Sequence, residues 1–298
     1  MNKFSLPKPR QNFIPNARSV IGNVRNNDKG RDFIIGDLHA SIYEFEKLLK
    51  YVNFNQSFDR CFSVGDLIDR GPNPYERLDL LNEDFFFSVL GNHELNFLSM
   101  LSNYEENNCD DFDNESIECM RKIGRDWVLK NKKLSIGRIK NSTMQKLKTI
   151  PLVMNVHDNN ELYHIVHAEL VGLENDHESM TTTESLIDTS ILSSNVSYIT
   201  GFRTCGTWMD RALYGRSLAN AAKYGRTFIN PAEYFTSKLN TVYCGHTITD
   251  SFNFKLLNHV FLDTGSGKNR KDNMNGLSIF SPKEKVGFII IDEKIKKW

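Results

Sequence analysis

Three short polar motifs carry the side chains best suited to chemistry, and each motif follows an apolar run. The run at 33–35 leads into Asp37 and His39, the run at 61–64 into Asp66, Asp69 and Arg70, and the run at 85–90 into Asn92 and His93. Short apolar runs that end in glycine are typical of buried strands, and α/β sheets form their sites just beyond the carboxyl ends of strands. Three such motifs in order predict that these side chains meet at one sheet edge.

Two later histidines extend this set. His167 ends a predicted strand at 161–167, and His246 follows another predicted strand at 241–244. His164 is the rival of His167, but strand alternation places the two on opposite faces. The candidates comprise two carboxylates, three imidazoles and one amide, namely Asp37, His39, Asp66, Asn92, His167 and His246.

A mixed set of oxygen and nitrogen ligands without thiolate suits Mn²⁺, Fe²⁺ or Zn²⁺ better than Ca²⁺ or Mg²⁺. Six ligands are too many for one catalytic ion that keeps an open position, but they suit two ions that share a carboxylate. Two metal ions about 3.5–4 Å apart can activate a water and stabilise both oxygens of a displacement at phosphorus. We therefore expect two divalent ions as cofactors, Mn²⁺ first, with Fe²⁺ or Zn²⁺ as alternatives.

The order of the motifs resembles a known family. The series GDLHA, GDLIDRG, GNHE, HAE and GHT, between Gly36 and Thr247, is similar to the metallophosphoesterase superfamily. It most resembles the phosphoprotein phosphatase branch and, within that branch, the Ser/Thr protein phosphatases of the bacteriophage lambda type. The resemblance implies an α/β, calcineurin-like fold, in which two packed mixed β-sheets are flanked by helices.

The resemblance also implies a role for each candidate residue. Asp37, His39 and Asp66 would bind the first metal, and Asp66 would bridge to a second metal held also by Asn92, His167 and His246. His93 would be the general acid, oriented by Asp69. Arg70 would bind phosphate oxygens, for which a guanidinium fork is well shaped, and Asn92 would contact the substrate phosphate as well.

A second phosphate-binding arginine follows a tryptophan in such phosphatases. Arg211, three positions after Trp208, is the expected residue here, with Arg203 and Arg216 as rivals. Ala40 departs from the glycine that usually follows the first histidine of the series, and we expect its methyl group to narrow the metal pocket.

The implied function is hydrolysis of phosphoserine and phosphothreonine in proteins, by direct attack of a hydroxide that bridges the two metals. Asp69 and Glu94 favour this branch, because similar hydrolases of dinucleoside polyphosphates often carry Ala and Asp at those positions. Hydrolysis of dinucleoside polyphosphates or of RNA-cap phosphoanhydrides is the alternative. An inactive, phosphatase-like binding module is the third hypothesis. The expected partner is a phosphorylated protein or a small phosphate ester, and a nucleotide substrate is the alternative.

The composition limits the expected partners and the expected cellular compartment. Lys+Arg and Asp+Glu are equal at 37 each, so no overall basic field indicates a nucleic acid or a membrane partner. Five cysteines without a CxxC pair are typical of a reducing compartment. With no apolar leader or span, we expect a cytoplasmic protein, or one of the host cytoplasm if the source is viral.

The 298 residues are predicted to form a basic N-terminal arm at 1–31 and one metallophosphoesterase domain at 32–298. The arm contains seven basic residues and a single acidic residue, Asp28. We expect binding of nucleic acid, if any, to be confined to this arm. Within the domain, a charged helical insertion is predicted at 95–150, either as a solvated cap or as a substrate-selecting element. Further helices are predicted at 41–51, 75–81, 183–192 and 211–224.

Overall fold

The computed structural model describes residues 21–72, 74–107, 114–130, 139–158, 161–170, 208–216, 218–219, 239–249, 254–267 and 276–297. Its elements in chain order are β1 (Ile21–Val24), β2 (Asp32–Ile35), α1 (Ile42–Tyr51), β3 (Arg60–Ser63), α2 (Pro74–Arg77) with a 3₁₀ turn (Leu78–Asn82), β4 (Phe86–Ser88), α3 (Asn92–Asn107), α4 (Asn114–Lys122), α5 (Asp126–Lys130), α6 (Asn141–Thr149), β5 (Val153–Asp158), β6 (Glu161–Val166), α7 (Trp208–Tyr214), β7 (Thr241–Cys244), β8 (Phe254–Leu256), β9 (His259–Phe261), β10 (Leu277–Ser281), β11 (Val286–Ile291) and β12 (Lys294–Lys297).

The described strands form two six-stranded mixed sheets. One has the order β12-β11-β10-β2-β3-β4, and the other has the order β1-β5-β6-β7-β9-β8. The side chains between the sheets are apolar, and they come from both: Ile34, Phe62 and Val89 from the first sheet pack with Met154, Ile165 and Val260 from the second. Strand alternation then sends Phe33 and Ile35 to the opposite face, against α1. Helix α1 forms because Phe45, Leu48 and Leu49 recur at helical spacing and are buried there.

Strand register explains how distant motifs meet. In the first sheet β2, β3 and β4 are parallel, with Ile35 opposite Ser63 and Ser63 opposite Ser88. The segments that follow these three strands therefore leave the sheet at one edge. In the second sheet β6 and β7 are also parallel, with Ile165 opposite Tyr243. The residues after these two strands leave that sheet together in the same way.

The N-terminal boundary differs from the expected one. Ile21–Val24 form β1, which pairs in parallel with β5 at the edge of the second sheet. Arg60 supports this segment, since its Nη1 donates to the carbonyl oxygen of Arg25 at 2.6 Å. The last part of the predicted arm thus joins the sheet, while residues 1–20 lie outside the described part of the chain.

The described part of the predicted insertion is mainly helical, since it contains most of α3 and all of α4, α5 and α6. The helix expected at 183–192 lies outside the described residues. The helix expected at 211–224 begins earlier, as α7 at Trp208, and its described part ends at Tyr214. None of the described helices has the length and apolar content that crossing a membrane requires.

Candidate active site at the edges of both sheets

The first group of candidate ligands stands on the loops after β2 and β3. His39 is fully buried, and its Nδ1 donates to the carbonyl oxygen of Ile68 at 3.0 Å. Among the described residues its Nε2 has no hydrogen-bond partner, and it lies 3.9 Å from Asp37 Oδ2 and 3.6 Å from Asp66 Oδ2. Because Nδ1 carries the proton in the neutral ring, the lone pair of Nε2 points at two carboxylates.

The second group gathers Asn92, His167 and His246. His167 Nδ1 donates to the carbonyl oxygen of Val64 at 2.8 Å, so its Nε2 also presents a lone pair in the neutral ring. That atom lies 2.8 Å from Asn92 Oδ1, 3.1 Å from His246 Nδ1 and 3.5 Å from Asp66 Oδ1. Asp66 therefore faces both groups, one with each carboxylate oxygen.

Gly245 allows the segment that carries His246 to approach Asp37 closely. The main-chain N–H of His246 donates to both oxygens of Asp37, at 3.1 Å and 3.2 Å. A Cβ atom on Gly245 would lie 2.0 Å from Asp37 Oδ1. Any larger residue at position 245 would push this carboxylate away.

The ionisation of these groups fits bound cations. Burial lowers the pKa of His39 and of His246 well below the ordinary value, which keeps both imidazoles neutral and able to donate a lone pair. Burial, together with the charges of Asp263 and Asp66, raises the pKa of Asp37 well above its ordinary value. Bound cations would reduce the electrostatic repulsion among these converging lone pairs and neighbouring carboxylates. The residues present thus fit two divalent metal ions that share Asp66.

The predicted acid, His93, stands at the start of α3 beside this centre. Its Nδ1 lies 2.6 Å from Asp69 Oδ2, and both side chains are buried. Its Nε2 points the other way, 3.8 Å from Asp66 Oδ2 and 3.5 Å from Arg70 Nη2. Asp69 can thus orient the imidazole, and Nε2 faces the same space as Arg70.

Several residues of the site adopt a left-handed backbone conformation that is unusual for residues other than glycine. They are His39 (φ 44°), Ala40 (φ 59°), Asp66 (φ 53°), Asp69 (φ 70°), Arg70 (φ 67°) and His246 (φ 63°). Each costs about 1–3 kcal/mol, so surrounding contacts have to hold them. Glycine adopts this conformation without strain. Ala40 therefore adds backbone strain at a position where glycine would add none.

Glu94 provides one of these contacts, a role that the motif pattern did not reveal. Its buried carboxylate accepts main-chain hydrogen bonds from Gly91, Asp66, Leu67 and Ile68, at 2.8–3.2 Å. The last motif residue of the third loop therefore fixes the backbone of the second loop. Since Asp66 lies on that backbone, Glu94 also fixes the carboxylate between the two ligand groups.

The two candidate phosphate-binding arginines of the C-terminal half occupy different places. Arg211 is buried and pairs with Glu169, with Nη2 2.7 Å from Glu169 Oε1. Arg216 is only partly buried, and its Nη1 donates to the carbonyl oxygen of His246 and to Thr247 Oγ1, both at 3.1 Å. The rival Arg203 lies outside the described residues. The structure thus brings Arg216, and not Arg211, against a candidate metal ligand.

Comparison with known proteins agrees with this geometry. The family profile described as calcineurin-like phosphoesterase matches residues 33–202, which include five of the six candidate ligands, all except His246. The chain belongs to this family. Members of this family use divalent metals, which agrees with the two groups of candidate ligands in this chain.

Curated relatives of this phosphoesterase carry two different names. The chain is 29% identical over 142 residues to serine/threonine-protein phosphatase 2 of Escherichia coli (strain K12), covering 48% of this chain and 60% of the relative. It is 33% identical over 122 residues to the symmetrical bis(5'-nucleosyl)-tetraphosphatase of Wigglesworthia glossinidia brevipalpis, covering 40% of this chain and 45% of the relative. The chain thus matches less than two thirds of the length of either protein.

Solved structures show the same fold. A structure described as that of a candidate diadenosine tetraphosphatase has a TM-score of 0.54, with 18% identity, and the match covers 92% of this chain and 98% of that one. The calcineurin-like architecture of the phosphoesterase, with two mixed sheets and flanking helices, agrees with the sequence prediction.

Proposed function

We propose that this phosphoesterase is a dinuclear metal-dependent phosphatase that hydrolyses phosphoserine and phosphothreonine in proteins. One observation carries the proposal, namely the buried contact of 2.6 Å between Asp69 Oδ2 and His93 Nδ1. A serine or threonine phosphate ester releases an alkoxide, which is a poor leaving group unless it is protonated. A phosphoanhydride releases a phosphate oxygen, which leaves readily without a proton. A positioned proton donor is therefore most useful for the ester.

In this proposal the ligands of the two metals are Asp37, His39, Asp66, Asn92, His167 and His246. When bound, two divalent ions polarise a phosphoryl group and lower the pKa of water. Mn²⁺ is the expected ion, because the ligands are imidazoles, carboxylates and an amide.

The remaining side chains act on the substrate directly. Arg70 binds phosphate oxygens near His93, and Arg216 binds them near His246, so that two guanidinium groups approach the phosphate from the sides of the two motifs. Asn92 contacts the phosphate beside them. His93 Nε2 gives its proton to the leaving oxygen, while Asp69 keeps the ring oriented through Nδ1.

Hydrolysis of dinucleoside polyphosphates is the second candidate, since the Wigglesworthia relative is 33% identical to this chain over 122 residues. The deciding assay compares kcat/KM for a phosphoserine peptide, a phosphotyrosine peptide and diadenosine tetraphosphate, with Mn²⁺ present. We expect the phosphoserine peptide to be preferred by at least tenfold. A tenfold preference for the dinucleotide would show that the second candidate is right, and parallel assays of His93→Asn would exclude a contaminating enzyme.

A further inference from the structure

The described part of the insertion contacts the candidate active site. Arg125 follows α4 in a turn, and it is only 1% exposed, although arginine is rarely buried without a charged partner. Its partner is Asp69, which lies 56 positions earlier in the chain. The segment predicted as either a solvated cap or a substrate-selecting element thus inserts a cation behind the proposed general acid.

Arg125 holds both members of the Asp69–His93 pair. Its Nη2 donates to Asp69 Oδ2 at 2.6 Å and to the carbonyl oxygen of His93 at 2.6 Å. Its Nε lies 3.1 Å and 3.2 Å from the two oxygens of Asp69. One guanidinium therefore fixes the carboxylate that orients the imidazole and the backbone that carries the imidazole.

Trp127 completes the contacts of this carboxylate. Its indole Nε1 donates to Asp69 Oδ1 at 2.8 Å, while its ring packs 5.5 Å from the ring of Phe97 on α3. With Oδ1 held by Trp127 and Oδ2 held by Arg125, the Asp69 carboxylate cannot rotate without losing charge-assisted hydrogen bonds.

The turn that carries Arg125 also fixes the phosphate-binding loop. The main-chain N–H of Arg70 donates to the carbonyl oxygen of Gly124 at 2.9 Å. Gly124 has a φ of 77°, and a Cβ atom there would lie 2.7 Å from the Cα of Arg70. The close approach of the two segments therefore requires glycine, and it supports Arg70 in its left-handed conformation.

From these contacts we propose that Arg125 is a positioning residue for proton donation by His93, assisted by Trp127. The inference rests on the proposed function, because it requires a reaction in which His93 protonates the leaving oxygen. It also gives the insertion a catalytic purpose. A solvated cap would need neither a buried arginine nor a hydrogen bond to Asp69.

Two aryl esters separate this role from a structural one. Phenyl phosphate and p-nitrophenyl phosphate deliver the same phosphoryl group, but p-nitrophenolate leaves without protonation and phenolate does not. For Arg125→Met we expect kcat for phenyl phosphate to fall about 100-fold, and kcat for p-nitrophenyl phosphate only a few-fold, with KM nearly unchanged. Arg125→Lys should recover part of the loss, and Trp127→Phe should show a smaller loss with the same bias.

The His93→Asn variant is the reference for this difference between the losses of kcat on the two esters. If Arg125 acts through His93, the double variant with Arg125→Met falls no further on phenyl phosphate than His93→Asn alone. Arg121→Gln is the matched control, since Arg121 is exposed near the end of α4, four positions before Arg125, and it should leave both rates unchanged.

Equal losses on the two esters, or additive losses in the double variant, would overturn the positioning role alone. If Arg125→Met does not fold, the Arg125→Lys and Trp127→Phe variants are judged by the same ratio of rates. If the wild type hydrolyses neither ester with any divalent metal, the proposed function fails, and the positioning role fails with it.

Discussion

Asp66 Oδ1 accepts a hydrogen bond of 3.0 Å from the main-chain N–H of His93. This contact joins the second motif to the third, and it leaves Asp66 Oδ2 directed at His39, 3.6 Å from its Nε2. The carboxylate therefore cannot turn away from the first ligand group. Since His167 Nε2 lies 3.5 Å from Oδ1, the same carboxylate also serves the second group.

Metal binding should stabilise the fold measurably. At a free Mn²⁺ concentration of 100 times Kd, binding adds about 2.7 kcal/mol to the free energy of unfolding, so the melting temperature should rise on addition of Mn²⁺ and fall again with EDTA. Asp66→Asn should abolish most of this rise. Glu118→Gln, an exposed change on α4, is the control and should keep it. A melting temperature that does not change when Mn²⁺ is added would argue against the six proposed metal ligands.

Substitution of Arg216 should mainly lower catalysis, whereas substitution of Arg211 should mainly lower stability. Arg216→Met should lower kcat/KM by about 10–100-fold with little change in melting temperature, because it removes one phosphate-binding group. Arg211→Met should instead destabilise the fold by about 3–5 kcal/mol, because it leaves Glu169 charged and buried without its guanidinium partner. Steady-state kinetics and urea unfolding of both variants check this. The reverse pattern would return the phosphate-binding role to Arg211.

Acid should destabilise the fold partly through a histidine outside the active site. His259 is fully buried, and burial lowers its pKa from 6.5 to about 4. The unfolded chain therefore binds this proton more tightly, so the stabilising contribution is complete above pH 6.5 and is lost as the pH falls towards 4. Between pH 7 and pH 5 the loss from this residue is about 2 kcal/mol.

His259→Gln should remove that share of the pH dependence while keeping an acceptor for the main-chain N–H of Leu170, which His259 Nε2 accepts at 3.0 Å. Urea unfolding at pH 7, 6 and 5 measures it. His157→Gln, at an exposed position, is the control and should leave the slope as it is in the wild type. Identical slopes for His259→Gln and the wild type would contradict this explanation.

The strands before the first three motifs were predictable because they are short apolar runs that end in glycine, and β2, β3 and β4 lie within or one residue from the predicted positions. Two edge strands, β1 and β12, gave no such signal. The strand β12 consists of Lys294–Lys297 and is mostly exposed, so neither apolar alternation nor burial marks it in the sequence. The strand β1 was missed for a related reason, since its pairing with β5 depends on residues more than 100 positions away.

The candidate ligands could be located because each follows a strand directly, and the structure brings all six together. Arg216 and Arg125 could not be chosen in this way. Spacing from Trp208 favoured Arg211, but the fold directs that side chain to Glu169. In the sequence, Arg125 is one of ten basic residues between 121 and 148. The three-dimensional contact with Asp69 distinguishes it from the exposed residues Arg121 and Lys122.

The hydrogen bond between His246 and Asp37 spans 209 positions of the chain, which has a consequence for biosynthesis. At about 5–20 residues per second, the ribosome needs about 10–40 s to add that stretch. During this interval the first three motifs have already been synthesised, but His246, which completes the second ligand group, has not. The nascent chain therefore cannot assemble the full proposed centre, and loading of its second ion has to wait until His246 has emerged from the ribosome.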